Sequence, residues 1–434
     1  MTPRHFVLMF GTLLAVAGPL PRAAAEDNKS WVGESVMHTK PAKQIKFGDR
    51  LDDKQVEFAF TGRLPIRVRE DRDGWLRIHD GHNEGWAAKG DFVLADDAPA
   101  YFHRRVQADP GDAWALQMRG EGWHRKGEYA NAIAGFDECV RRDPTNSNAF
   151  SSRGNSRKMT GDYDRATEDF SEAVRLNPKY ALAFVNRGNV SFAKKDYDRA
   201  IDDYDEAARL DPKTALIFNF RGNAYSVKKD YERAIKDYDE AVRLDANNTP
   251  ALYFRGEAYS AKKDYDRAVR DYDEAIRLDP KFAYTFFSRS LAQMVTRRPG
   301  AVQGFQAVIE LQGYKGDRSG YAVILGHLAA GQAGDEAAAK RFLADSAGKL
   351  DAAWPEPAVR FLRGDLDEPG LLKLATDDGK RTDARCFLGL HHAIKGRPAE
   401  GLAHFRWVKR HGAPGYTETG IAVAELDRLD AAKP

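Results

Sequence analysis

Cysteine is almost missing: 434 residues contain only Cys139 and Cys386. Two thiols so far apart cannot build a disulfide framework or a zinc-ribbon site. A surplus of either charge is missing too. Lys plus Arg number 67 and Asp plus Glu 65, a formal +2. That balance argues against a nucleic-acid binder or a strongly basic membrane-surface protein. Beyond residue 25 no apolar run is long enough to span a bilayer. The chain has no GxSxG, no GxxxxGK(S/T) and no Rossmann fingerprint. What remains, 30% charged and 42% hydrophobic, is ordinary for a soluble globular protein and selects no function.

The first 25 residues read as a processing signal. Arg4 precedes an apolar run from Phe6 to Val16, Gly18, Pro19 and Pro21 break any helix, and Ala23, Ala24 and Ala25 offer a small-residue cleavage site. This is the layout of a secretory signal peptide. The run of 11 residues reaches roughly 16 Å as a helix, short of the ~30 Å hydrocarbon core. An uncleaved anchor is the competing reading. Cleavage before Glu26 removes Arg4 and Arg22 and leaves 65 charges of each sign, since 67 − 2 = 65. The expected place is outside the cytoplasm, periplasmic or extracellular, with no integral membrane segment after cleavage.

Residues 26–100 show short alternating stretches, as in Val56 to Phe60, Leu64 to Val68 and Gly74 to Ile78. Asp73-Gly74, Asp80-Gly81 and Glu84-Gly85 punctuate them as turns. About five strands in so short a length suggest a small barrel. The pairs Gly74-Trp75 and Gly85-Trp86, followed by Asp91-Phe92-Val93-Leu94, resemble the bacterial SH3-like domain. The resemblance implies a peptide or cell-wall ligand in some members and carries no catalytic residue. Trp75 and Trp86 either fill the barrel core or, with Phe58, form an exposed aromatic shelf.

A fixed beat dominates the remainder of the chain. Arg-Gly recurs at 119–120, 153–154, 187–188, 221–222 and 255–256, each step 34 residues (153 − 119 = 34). Tyr129, Tyr163, Tyr197, Tyr231 and Tyr265 keep the beat, as do Ala132, Ala166, Ala200, Ala234 and Ala268. So do Phe136, Phe170, Tyr204, Tyr238 and Tyr272, and Pro144, Pro178, Pro212 and Pro280, with Ala246 as the exception. On these residues the segment is identified as a tetratricopeptide repeat array over 101–280, in five units. In the third unit 181–194 and 197–210 are the expected antiparallel helices, Gly188 and Ala200 allow close approach, and Asp196 caps the second helix. Asp211-Pro212 is expected as N-cap and first residue of the next unit. One unit cannot bury its own apolar face, so units must stack. The recurring Arg is expected to pair across its own helix hairpin: Arg153/Asp169, Arg187/Asp203, Arg221/Asp237 and Arg255/Asp271. Arg199, four residues before Asp203, is a competitor. Arg119 faces Gly135 and needs another partner.

The pattern decays over 281–434. Arg289 holds the step (289 − 255 = 34), but Ser290 replaces Gly and Phe305 comes one residue early. Gly326 to Phe342 and Gly389 to Phe405 each keep Gly and an aromatic 16 apart, as Gly256 and Tyr272 do. These read as divergent units, followed by a capping helix at about 416–429. The predicted fold is mainly α: a right-handed tetratricopeptide α-solenoid of six to eight units preceded by a small SH3-like β-barrel.

The resemblance implies that the first helices line a groove for partner proteins. Asn155, Asn189 and Asn223 recur there, with Val185, Phe192, Asn219 and Tyr253 on the same face. Asn both donates to and accepts from a peptide backbone. A merely solvated polar face is the alternative. Ser151, Val185 and Asn219 stand where a carboxylate clamp would want Lys. His391, His392 and His404 are the one close histidine group, but no HExxH accompanies them, so they read as packing and no metal or cofactor is expected. Arg406-Trp407 and Lys409-Arg410 mix basic and aromatic residues over a single turn, too little for nucleic-acid binding. The expected function is an exported, non-enzymatic adaptor that binds a protein or peptide. A cell-wall-associated protein held through the SH3-like domain is one alternative. A metal-dependent hydrolase in 313–415 using His391 and His404 is the other.

Overall fold

The computed structural model describes residues 30, 35–40, 47–48, 66–79, 84–316, 318–413 and 417–431. The expected signal peptide, Phe58 and the stretch Val56 to Phe60 lie outside the described residues. The chain divides into two compact units, Met1–Val190 and Ser191–Pro434.

The first unit opens with a sheet of β1 (Ser35–His38), β2 (Phe47–Gly48), β3 (Ile66–Arg72), β4 (Trp75–His79), β5 (Glu84–Ala88) and β6 (Phe92–Leu94). The order is β2-β5-β4-β3-β1-β6, antiparallel at every pairing. Period-2 alternation puts Val36, Ile66, Leu76, Ile78, Ala87 and Phe92 into one core. The expected barrel is corrected here: among the described residues β2 and β6 are opposite edges and do not pair, so the sheet is open. The other face of β1 and β6 is covered instead by helices. Met37 and Val93 pack with Ala98 and Phe102 of α1 (Ala98–Ala108) and Met118 of α2 (Ala113–Arg125). Arg105 fastens this joint, donating to the Thr39 carbonyl at 2.6 Å and to Asp112 at 2.7 Å.

Helix pairs come next: α2 with α3 (Tyr129–Arg142), α4 (Ser147–Met159) with α5 (Tyr163–Leu176), then α6 (Ala181–Ala193), within which the two units divide. The second unit continues with α7 (Tyr197–Leu210), α8 (Ala215–Val227), α9 (Tyr231–Leu244), α10 (Thr249–Ala261), α11 (Tyr265–Leu278), α12 (Ala283–Val295) and α13 (Ala301–Gln312). Then come α14 (Ser319–Gln332), α15 (Glu336–Asp345), α16 (Glu356–Arg363), α17 (Glu368–Leu374), α18 (Asp378–Ile394), α19 (Pro398–His411) and α20 (Thr417–Ala431). No described helix is long and apolar enough to cross a membrane.

The repeated residues do repeated work. A Cβ on Gly222 would come within 2.7 Å of the Tyr238 ring, and one on Gly256 within 2.6 Å of Tyr272. The missing side chain is what lets the ring enter. Gly389 stands in the same relation to Phe405, so the divergent pair α18/α19 keeps the repeat's lock. In the sixth unit the partners trade: Ser290 sits against Gly304 of the facing helix, which explains the lost glycine. The turn inside each pair is a Schellman ending. Lys229 N–H donates to the Ser226 carbonyl and Asp230 N–H to that of Tyr225. Asp230 then caps α9 by accepting from Arg233 N–H at 3.1 Å. Gly127 and Gly161 take the left-handed position in the early units, but Lys195, Lys229, Lys263 and Arg297 take it later, with φ of 63°, 62°, 62° and 56°.

One capping expectation is corrected. Asp211 ends α7, and α8 begins only at Ala215, after Thr214. The Asp side chain organises the turn instead, as where Asp279 accepts from Lys281 N–H at 3.0 Å, while proline forbids continuation of the helix.

The recurring arginines pair as expected where both partners lie in one unit. Arg153 meets Asp169, Arg221 meets Asp237 and Arg255 meets Asp271, each at 2.6 Å. Each also reaches back to the preceding hairpin, to Asp137, Asp205 and Asp239 at 2.7 Å. One guanidinium thus ties two successive repeats. Arg199 does not compete in this way; it pairs with Asp196 at 3.3 Å. Among the described residues no carboxylate pairs with Arg119.

Candidate functional site

The second unit holds a cavity of about 500 Å³ lined by the first helices α10 and α12, the start of α11 and the terminal helix α20. Its walls extend the register read as a binding face. Tyr253 follows Asn219 by 34 and Phe287 follows Tyr253 by 34; Glu257 follows Asn223 by 34 and Leu291 follows Glu257 by 34.

The chemistry of the walls is aromatic with a few directed polar groups. Tyr272 donates to Glu257 Oε1 at 2.5 Å. Burial, with Glu257 beside it, pushes the Tyr253 hydroxyl up to about 12. The Tyr272 hydroxyl is likewise raised well above its ordinary value by burial and the same carboxylate. Both phenols are therefore donors at neutral pH. Arg318 lies over Phe287 at 5.2 Å and over Tyr284 at 5.5 Å, and its charge also acts on Glu418 of α20. A guanidinium seated on ring faces keeps N–H donors for a ligand oxygen. Lys229 and Lys263 stand at the edge.

The expected groove residues fall in different environments. Tyr253 lines the cavity. Asn223 is half-buried and accepts the Tyr238 hydroxyl at 2.8 Å, so one of its groups serves the repeat itself. Asn219 is buried and donates to Asn248, the cap of α10, at 3.0 Å, while its Oδ1 has no partner. Val185 is buried; Asn155, Asn189 and Phe192 are half-buried. Trp75 and Trp86 are half-buried on the sheet face opposite Leu76, Ile78 and Ala87, with Arg77 between them in register. They do not fill the core.

Arg318, Glu418 and the part that α20 plays in the cavity wall were missed by sequence reasoning because no periodic signal marks them. The capping helix is where it was expected, but it packs on α18 and α19 and also reaches α12. Its Thr419, Gly420 and Ile421 form part of the cavity wall. Arg297 of the α12–α13 turn anchors it, donating to buried Glu425 at 3.0 Å. Buried Glu418 is pushed up to about 7 by loss of solvent and by nearby Asp383.

Paired helices with a Gly–aromatic lock every 34 residues define a helix-hairpin repeat protein. Residues 152–215, 215–248 and 249–282 match family models described as tetratricopeptide repeat, and residues 152–282 carry such repeats. Solved structures are similar over part of the chain. YrrB, a TPR protein with an unusual peptide-binding site, is 20% identical, covering 41% of this chain and 92% of its own, with a TM-score of 0.37. MamA from Desulfovibrio magneticus RS-1 is 22% identical, covering 40% and 98%, with a TM-score of 0.38. A TPR protein from Cytophaga hutchinsonii is 18% identical, covering 54% and 95%, with a TM-score of 0.47. No curated protein matches the chain.

Proposed function

We propose that the chain is an exported, non-enzymatic adaptor whose repeat helices hold a segment of a partner protein. The cavity between α10, α12 and α20 carries this reading, because it combines apolar rings with a guanidinium seated on ring faces. A partner segment would insert an apolar side chain between Tyr253 and Phe287 and turn an oxygen toward Arg318. Buried phenols and aromatic faces are the groups that dominate binding energy in protein interfaces. The test is a pull-down from envelope extract with the full chain and with Tyr253→Ala plus Phe287→Ala. Unchanged partner recovery by the double variant sinks the cavity. The triple variant Asn155→Ala, Asn189→Ala, Asn223→Ala tests the asparagine face in the same assay. Export is tested by fractionation: retention of the full-length chain in the cytoplasm counts against it.

A second reading rests on the sheet. Trp75, Arg77 and Trp86 share its outer face, a surface suited to stacking on a cell-wall glycan or peptide. Sedimentation with purified peptidoglycan checks it. Equal pelleting of wild type and Trp75→Ala plus Trp86→Ala excludes the tryptophan face.

A further inference from the structure

We propose that Glu368, His392 and His404 form a binding site for one divalent transition-metal ion, zinc being the type that suits the donors.

The three residues come from three helices, α17, α18 and α19, and their ligand atoms lie within 4.8 Å of one another. Glu368 offers one oxygen to each ring: Oε2 is 3.0 Å from His392 Nε2, and Oε1 is 3.2 Å from His404 Nε2. The two imidazoles are parallel, 4° apart with centroids at 5.5 Å, so both Nε2 atoms look toward the same carboxylate. Two neutral imidazoles and a carboxylate are a common donor set for zinc, at about 2.0–2.2 Å per bond. Small rotations of the side chains would bring them to that range.

The groups behind the ligands point the same way. His392 is buried, and its Nδ1 has no aligned hydrogen-bond partner. Glu400 Oε2 nevertheless lies 3.2 Å from that atom. A carboxylate behind a ligand histidine holds the hydrogen on Nδ1 and leaves Nε2 free to coordinate. His391 does not join; its ring packs edge-on against Phe361 at 5.2 Å. The histidine pair that matters is therefore 392 and 404, not 391 and 404. Glu368 has no sequence signal, since it stands 24 residues before His392 across a turn.

The hydrogens on the two rings set a specific demand. Without metal, Arg385 Nη1 is 3.3 Å from His404 Nδ1, so Nδ1 accepts and Nε2 carries the hydrogen shared with Glu368. Coordination through Nε2 moves that hydrogen to Nδ1, and Arg385 must turn away. Its guanidinium already lies 4.7 Å over the Trp407 ring, which can keep it. Arg385 thus opposes the metal, and replacing it with an acceptor favours the metal.

The test uses the full chain without a polyhistidine tag, stripped by chelator and titrated with Zn²⁺ by calorimetry. Co²⁺ absorption reports the geometry. One saturable equivalent is expected, with a zinc-dependent rise in melting temperature. His392→Gln, His404→Gln and Glu368→Gln should each weaken binding by about 100-fold, and Arg385→Gln, whose amide oxygen can accept from Nδ1–H, should tighten it by about tenfold. His391→Gln should leave it unchanged. Absence of a saturable equivalent in the folded wild type overturns the proposal, whatever the variants do. Equal weakening by His391→Gln, or no tightening by Arg385→Gln, also overturns it.

Discussion

A single hydrogen decides several positions in this chain. Alanine at Gly256 would place its Cβ 2.6 Å from the Tyr272 ring, in a hairpin with no slack. Gly256→Ala should cost about 1–3 kcal/mol by overpacking. The check is thermal unfolding by circular dichroism; an unchanged midpoint would refute the lock. The left-handed turn residues point the other way. Lys229 adopts φ 62° where Gly127 and Gly161 stand in earlier units. A side chain in that region costs about 1–2 kcal/mol, part of which glycine loses again as unfolded-state entropy. Lys229→Gly should therefore raise the melting midpoint by a degree or two, and a fall would show that Lys229 makes compensating contacts.

At the scale of elements, α20 is set by one titration. Its Glu418 is buried with Asp383 nearby and ionises near 7 instead of the usual 4.5. A carboxyl raised on folding contributes most below its unfolded value and loses that contribution as pH rises through the folded one. The window is therefore about pH 4.5 to 7. Raising pH from 5 to 8 should speed amide exchange in α20, and Glu418→Gln should flatten that dependence. A wild type with pH-independent protection, after correction for intrinsic exchange, contradicts it. How far such elements were legible depends on what the residues do. Helices α2 to α13 follow from the beat, because each glycine, alanine and ring is repeated by the same contact. The bridge from Arg221 to Asp205 is legible too, since Asp137, Asp205, Asp239 and Asp273 also keep the beat, with Ser171 as the exception, although the sequence pattern was matched only to the forward partner. Arg318, Glu368 and Glu418 make contacts that occur once in the chain instead of once per repeat, which leave no periodic trace. The sheet deceived for a different reason. Alternation showed strands, but Met37 and Val93 are buried on the far face by α1 and α2, a covering that a strand pattern cannot distinguish from barrel closure.

For the whole chain, cooperativity is set by reach. In the second unit α8 to α11 pack on successive neighbours whereas α13 to α20 share one core, so a defect should spread only as far as its own cluster. The second unit offers a clean case. Leu426 of α20 is buried in a core with Phe387 of α18 and Phe405 of α19, whereas Tyr204 and Tyr238 belong to a separate cluster. Leu426→Ala removes a buried side chain at about 2–5 kcal/mol. Hydrogen exchange should then accelerate in α18 to α20 and stay at wild-type rates in α8 and α9. Uniform acceleration across the second unit would mean that it unfolds as one body. Local acceleration would also bear on the cavity, because α20 forms one of its walls: the same variant should widen access to Tyr253 and Phe287 and change partner recovery without touching either ring.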